Sequence, residues 1–159
     1  MLIMFRKMRR QKQELSENEC RDILINQPRG VLAVIGDNEY PYVIPMSHVF
    51  VHDKIYLHGA KKGHKNDAIK NNPKVSYCVV NEGTRNKDEW WYTFKSVVIF
   101  GKIKTLTDND EKIDKLTYLG NKFFPTCEET KTEINRLLDR TEVFEITIDH
   151  MTGKLVVEK

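Results

Sequence analysis

The sequence has 159 residues, of which 40% are hydrophobic and 31% are charged, and a formal net charge of +3. This length suffices for one domain with its own hydrophobic core, and so small a charge without a recognised motif argues against nucleic-acid binding. No apolar run reaches the ~20 residues of a membrane span, and three cysteines without a C-x-x-C pair argue against both a disulfide framework and a zinc site.

The chain begins with an apolar stretch, M-L-I-M-F, followed by the charged segment R-K-M-R-R-Q-K-Q. A secretory signal has the opposite order and a longer apolar part. We therefore expect one cytoplasmic domain over residues 1–159, in which residues 1–13 form a leader that is mobile or lies across a partner surface.

A first helix is predicted from a capping box. Ser16 and Glu19 have the spacing at which the two residues satisfy each other's backbone N–H groups, and Pro28 ends the helical pattern. One face of this helix carries its apolar residues, Leu15, Cys20, Ile23 and Leu24.

Three strands in a meander are predicted next, joined by short turns at residues 37–38 and 52–53. Pro41 and Pro45 lie in the second of these strands. Because proline cannot donate to a ladder, this strand must lie at an edge, be bulged or be interrupted there.

The third strand of the meander leads into a basic loop, with the sequence K-I-Y-L-H-G-A-K-K-G-H-K over residues 54–65. Small residues let the backbone approach a ligand, basic side chains offer positive charge, and a helix is predicted to begin near Asn66. Because helix N-termini favour anions, this pattern is typical of a phosphate site. The alternative is a solvated basic turn.

The remainder predicts more strands and two more helices. The run K-V-S-Y-C-V-V (74–80) indicates a strand buried on both faces, and residues 90–106 form one long strand or two. Helices follow, the first capped at Asp108 and the second near residues 128–139. A last strand pair is expected around a turn at Thr152 and Gly153. Six or seven strands with peripheral helices predict a mainly β fold, a closed antiparallel barrel.

Six blocks of the sequence resemble the flavin-binding split-barrel family of pyridoxamine 5′-phosphate oxidase-like proteins, in the branch of the nitroimidazole-resistance proteins. The blocks are G-V-L-A-V (30–34), Y-P-Y-V-I-P-M-S (40–47), K-I-Y-L-H-G-A (54–60), G-H-K (63–65), A-I-K-N-N-P-K-V-S (68–76) and S-V-V-I-F-G-K (96–102). The resemblance spans nearly the whole chain and implies a split β-barrel.

The resemblance also implies a homodimer that binds two FMN molecules at the subunit interface. The strand along the flavin ring would be residues Val43, Ile44, Pro45, Met46 and Ser47. The phosphate and its surroundings would be held by Leu57, His58, Gly59, Lys61, His64 and Lys65. Ser96 matches a polar position that reaches the flavin, and His64 is our candidate catalytic residue, as a proton source. The alternative for His64 is a surface histidine at a helix start.

The chain departs from the vitamin B6 oxidases of the family. Their phosphate-loop Ser-Arg-Lys is here Gly63-His64-Lys65, and residues 41–46 contain no counterparts of their strand Arg and Lys. We therefore expect an FMN-dependent oxidoreductase, possible donor NAD(P)H, acting on a small planar molecule such as a nitroimidazole. The alternatives are a non-catalytic flavin- or haem-binding storage or sensor protein, and pyridoxamine phosphate oxidase-like activity.

Overall fold

The computed structural model describes residues 5–159 and contains six strands and four α-helices within that range. The strands are β1 (Arg29–Ile35), β2 (Pro41–Val51), β3 (Lys54–Ala60), β4 (Lys74–Val80), β5 (Thr93–Thr105) and β6 (Thr141–Val157). The helices are α1 (Glu17–Asn26), α2 (His64–Asn71), α3 (Asn109–Phe123) and α4 (Cys127–Leu137). None of these helices, in the part of the chain that is described, has the length and hydrophobicity of a membrane span.

The six strands close into a barrel in the order β1-β2-β3-β6-β5-β4, with antiparallel neighbours. The predicted mainly β barrel fold is confirmed. The predicted meander of β1, β2 and β3 is also present, and His52 and Asp53 form its second turn with φ of 52° and 59°. Two successive positive φ values match the right-handed twist of a hairpin.

Helix caps form where the sequence places them. Ser16 and Glu19 make both hydrogen bonds of the capping box before α1, and the Asp108 side chain accepts from the Glu111 N–H at the start of α3. Helix α2 begins at His64, two residues before the predicted start at Asn66. The earlier start follows from the N-cap Gly63, whose φ of 131° sets the sharp turn out of the loop.

The predicted turn at Thr152 and Gly153 is wrong, because β6 continues through both residues as one strand of 17 residues. Gly153 pairs with Val97 of β5. A Cβ at this glycine would collide with the Cys20 sulfur and would contact Leu15 at 3.0 Å. Gly153 is therefore in the strand because α1 packs directly on the backbone there, and not because the chain turns.

Within one protomer, the prediction that β4 is buried on both faces is also wrong. Exposure alternates along the strand: Val75, Tyr77 and Val79 are buried, whereas Ser76 and Cys78 are half-buried. The inner residues enter the barrel core and the outer ones lie on the outside of the ring. The long segment before α3 is one strand, β5, with an irregularity in its pairing at Phe100 and Gly101.

The first four residues of the predicted leader lie outside the described residues. Of the remainder, Phe5 stacks on the His150 ring at 4.5 Å between centroids and on Phe100 at 5.6 Å. Residues 11–13 form one 3-10 turn. This part of the leader therefore lies on the outer surface of β5 and β6.

Two apolar clusters support the barrel. The larger one fills the ring and includes Leu32, Leu57 and Phe144, with α1 and α2 packed against it. The smaller one joins Tyr56 and Val143, on the outside of β3 and β6, to Leu119 of α3. The two helices α3 and α4 therefore cover one side of the barrel, beside the site described next.

Candidate functional site

The barrel is split between β2 and β3. Residues 41–47 of β2 pair only with β1, while β2 pairs with β3 only over residues 48–51. Residues 58–60 of β3 pair with β6. The predicted edge position of the two prolines is therefore confirmed, since residues 41–47 have β1 on one side and, within residues 5–159, no strand on the other.

The prolines determine which backbone groups face this open edge. Pro45 pairs with Val31, and without an N–H it cannot belong to a pair that exchanges two hydrogen bonds. Backbone groups alternate along an antiparallel strand, so those of Val43, Pro45 and Ser47 point away from β1. The open edge therefore presents unused backbone donors and acceptors to a ligand.

Side chains alternate along the same five residues. Val43 and Pro45 are exposed and Ser47 is half-buried, whereas Met46 is buried and Ile44 packs against the barrel core. The side chains of Ile44 and Met46 therefore face the core and their backbone groups point towards β1, so neither residue presents a hydrogen-bonding group to the open edge. The predicted ring-binding segment offers an uncharged outer surface.

A buried polar network holds this strand from inside the barrel. The fully buried His48 ring donates from Nε2 to the Leu24 carbonyl at 2.7 Å. The Tyr77 hydroxyl lies 2.9 Å from the Met46 carbonyl oxygen and 3.0 Å from His48 Nδ1. Burial, and secondarily the Lys122 charge, lower the pKa of His48 to about 4, so the ring is neutral near pH 7.

Lys122 of α3 completes the network from outside. Its ammonium donates to the Gln27 carbonyl at 2.7 Å and to the His48 carbonyl at 3.0 Å. Burial lowers the pKa of Lys122 to about 8. Neither Tyr77 nor Lys122 was predicted from the sequence, because both act through contacts with residues far away in the chain.

The basic loop brings Lys65 back over the end of β3. The Lys65 ammonium lies 4.9 Å from the centre of the Phe144 ring and crosses Gly59, where a Cβ would collide with it. Lys65 has no carboxylate partner among residues 5–159 within ion-pair distance. Burial lowers the pKa of Lys65, because the loss of hydration disfavours the charged ammonium. The protein therefore does not fully compensate this positive charge.

His64 turns away from Lys65. Its Nε2 accepts the Asp37 backbone N–H at 3.2 Å, and its ring stacks on Tyr42 at 4.3 Å between centroids. The Asp37 carboxylate lies 3.6 Å from the same nitrogen. His64 therefore ties the start of α2 to the turn before β2, and in the neutral ring the proton is on Nδ1.

The remaining predicted residues lie in different surroundings. Leu57 is fully buried in the core, and Lys61 is exposed in the loop. His58 projects outward at the split, and burial followed by the Lys65 charge lowers its pKa. Ser96 lies on β5, between Val80 and Lys154, so in one protomer it is separated from β2 by β4 and β1.

This arrangement suits a phosphorylated planar molecule such as FMN. Lys65, Lys61 and the N-terminus of α2 supply positive charge for a phosphate, and the open edge of β2 supplies backbone hydrogen bonds for the edge of a ring. A metal is not suggested, since no group of three or more His, Cys, Asp or Glu among the described residues could hold one.

Comparisons with known proteins bear on the family and the fold of the chain. A sequence profile of the pyridoxamine 5′-phosphate oxidase family matches residues 16–155. No curated protein sequence matches the chain.

Several solved structures share the fold at low sequence identity. A proposed 5-nitroimidazole antibiotic resistance protein from Bacteroides thetaiotaomicron is 18% identical, with a TM-score of 0.73 over 92% of this chain and 90% of that one. An FAD-binding protein from Mesorhizobium loti is 24% identical (TM-score 0.68, 91% and 97%). The flavocytochrome Anf3 from Azotobacter vinelandii is 20% identical (TM-score 0.75, 94% and 72%).

Proposed function

Because this chain belongs to the pyridoxamine 5′-phosphate oxidase family, as its sequence blocks predicted, we propose that it is a flavoprotein that binds FMN at the split between β2 and β3. We further propose that it is an oxidoreductase that reduces a small planar molecule such as a nitroimidazole. The observation that carries the proposal is the open edge of residues 43–47 beside the uncompensated Lys65 ammonium. Solved structures of the same fold include proteins described as binding FAD.

Each part of the site has a role in this proposal. When bound, FMN would supply the redox chemistry, taking a hydride from NAD(P)H and passing two electrons to the acceptor. Lys65 and Lys61 would hold the phosphate, and the backbone groups of Val43 and Ser47 would orient the ring edge. His64 is the candidate to move a proton, through the Nδ1 that the Asp37 contact leaves available.

The substrate class follows from the charges near the open edge. Val43, Pro45 and Ser47 are uncharged, so the strand has no cation with which to grip a second phosphate. A neutral nitroaromatic or quinone therefore suits this surface better than phosphorylated pyridoxine compounds do. Reduction of a nitro group to a nitroso group takes two electrons and two protons and releases one water.

A homodimer is the assembly that we propose. The outer faces of four adjacent strands carry no charged residue over a contiguous area. This uncharged face consists of Pro41, Val43, Pro45, Val31, Ala33, Ile35, Ser76, Cys78, Val80, Ser96, Val98 and Phe100. Apolar patches of this kind mark protein interfaces. Since the face includes the open edge and Ser96, a second copy seated there would bring its Ser96 towards the flavin.

We expect Val31→Glu to convert the dimer to a monomer and to weaken FMN binding, because a carboxylate at the centre of the uncharged face would be desolvated without a partner. Light scattering at micromolar concentration measures the mass. The matched control is Ile25→Glu on α1, which places the same charge at a residue that is 51% exposed. A monomeric mass for the unaltered protein with saturating FMN would contradict the dimer.

The visible spectrum of the purified protein, followed by anaerobic addition of NAD(P)H, tests the function. We expect flavin bands that bleach with the donor, release of FMN and not FAD on denaturation, and faster reoxidation by a neutral nitroaromatic than by a phosphorylated pyridoxine compound. A Soret band would favour the haem-binding alternative. A colourless protein that takes up neither added flavin nor haem would overturn both.

A further inference from the structure

A cavity of about 240 Å³ lies beside the split, between the outside of the barrel and the helices α3 and α4. Ser47 of β2 and His58 of β3 form its barrel side. The helical side consists mainly of apolar side chains, among them Leu116, Leu119, Phe123, Ile134, Leu137 and Leu138. Among the described residues, no lysine or arginine lines the cavity.

The two polar side chains on the barrel side are not used by the protein itself. Neither the Ser47 hydroxyl nor the His58 imidazole has a hydrogen-bond partner among residues 5–159. Burial, followed by the Lys65 charge, lowers the pKa of His58 and so favours the neutral form of this ring. By contrast, the Thr130 and Thr141 hydroxyls that also line the cavity donate to helix carbonyls. Apolar walls with a few convergent polar groups are the usual composition of a small-molecule site.

The volume limits what can enter. An apolar cavity of about 150 Å³ can hold benzene, and drug-sized ligands occupy roughly 300–1,000 Å³. A cavity of about 240 Å³ therefore suits one substituted ring and is too small for a flavin or a haem.

The cavity adjoins the proposed flavin site through the same residues. Ser47 ends the open edge of β2, and His58 precedes the Gly59 that Lys65 crosses. A ring in the cavity would therefore lie next to the split. Glu133, the one carboxylate of the lining, is paired with Arg136 at 2.7 Å, so the lining offers nothing to attract an anion.

We propose that this cavity is the pocket for the oxidising substrate, a neutral single-ring compound whose acceptor group, a nitro or quinone oxygen, accepts hydrogen bonds from Ser47 and His58. The proposal rests on the proposed function, since it names where the substrate of that flavin binds. Selection for neutral rings follows from the apolar helical wall, and selection for an acceptor group follows from the two unpaired donors.

Calorimetric titration with nitrobenzene tests the cavity directly and needs no turnover. We expect Ile134→Trp, which fills the cavity, to weaken nitrobenzene at least about tenfold. The matched control, Asn135→Trp, adds the same bulk on the exposed face of α4 and is expected to change affinity less than about twofold. Leu137→Phe is the smaller filling variant to use if the thermal melt shows that Ile134→Trp does not fold.

The polar end is tested with a matched pair of probes. We expect Ser47→Ala with His58→Leu to weaken nitrobenzene by about fivefold or more relative to toluene, which has the same shape but no acceptor. In the unaltered protein, 4-nitrobenzoate is expected to bind at least about tenfold more weakly than nitrobenzene.

Three results would overturn the pocket: unchanged nitrobenzene affinity in both filling variants, equal losses for nitrobenzene and toluene in the polar variant, or loss of flavin together with the probe in Ile134→Trp. Flavin content is read separately from the absorption spectrum. An unaltered protein that binds nitrobenzene in the cavity but takes up no flavin would refute the proposed function and leave the pocket as a binding site.

Discussion

Replacing Lys65 by alanine is expected to weaken FMN about 10- to 100-fold and riboflavin, which lacks the phosphate, by less than about threefold. One charge-assisted hydrogen bond to a phosphate contributes roughly 1.5–3 kcal/mol, and each 1.4 kcal/mol is about tenfold in affinity. The Lys65 ammonium is half-buried over Phe144 and Gly59 and has no carboxylate partner among residues 5–159, so a bound anion would supply the missing negative charge.

Fluorescence titration of the apoprotein with each flavin measures both affinities. Lys62→Ala is the control from the same loop, since Lys62 is fully on the surface and should contribute little. Equal losses for FMN and riboflavin in Lys65→Ala would show that this loop does not hold the phosphate.

Lowering the pH from 7.5 to 5 is expected to reduce the free energy of unfolding by about 2 kcal/mol through His48 alone. Burial and the Lys122 charge lower the pKa of His48 to about 4 from an ordinary value of 6.5. Between these values the unfolded chain binds a proton that the folded protein excludes, so acid favours unfolding. The loss begins near pH 6.5 and is complete near pH 4.

Urea unfolding at a series of pH values measures how the free energy of unfolding changes with pH. His58 has a pKa lowered in the same direction, so the measurement is made in His58→Gln, which leaves the buried ring as the main source. His48→Gln in that background should remove most of the dependence between pH 7.5 and 5. A slope that persists there would assign the acid sensitivity to other groups.

The elements that depend on local signals are predictable from the sequence. The Ser16–Glu19 capping box, the Asp108 cap and the turn at His52 and Asp53 all form where the sequence places them. Each is determined by residues within four positions of one another, so a short window contains the necessary information. The predicted six or seven strands with short turns favoured a closed barrel, and the structure confirms it.

The structural features that could not be predicted from the sequence depend on contacts between residues that are distant in the chain. A glycine after a threonine is typical of a turn, so Gly153 was predicted to lie in one. The packing of Leu15 and Cys20 on its backbone explains why Gly153 lies inside a strand instead. The loop between β3 and α2 lies where the sequence predicts a loop, but the direction of His64 depends on Asp37 and Tyr42, which lie more than 20 residues away. The Tyr77 and Lys122 contacts were missed for the same reason.

The pairing of β6 also determines when the protein can fold during its synthesis. This strand is the last of the six in chain order, and it joins β3 on one side to β5 on the other. Until β6 has left the ribosome, β3 and β5 both keep an unpaired edge, and unpaired edges invite association with other chains. The nascent barrel is therefore open, with exposed strand edges that favour aggregation, until β6 emerges.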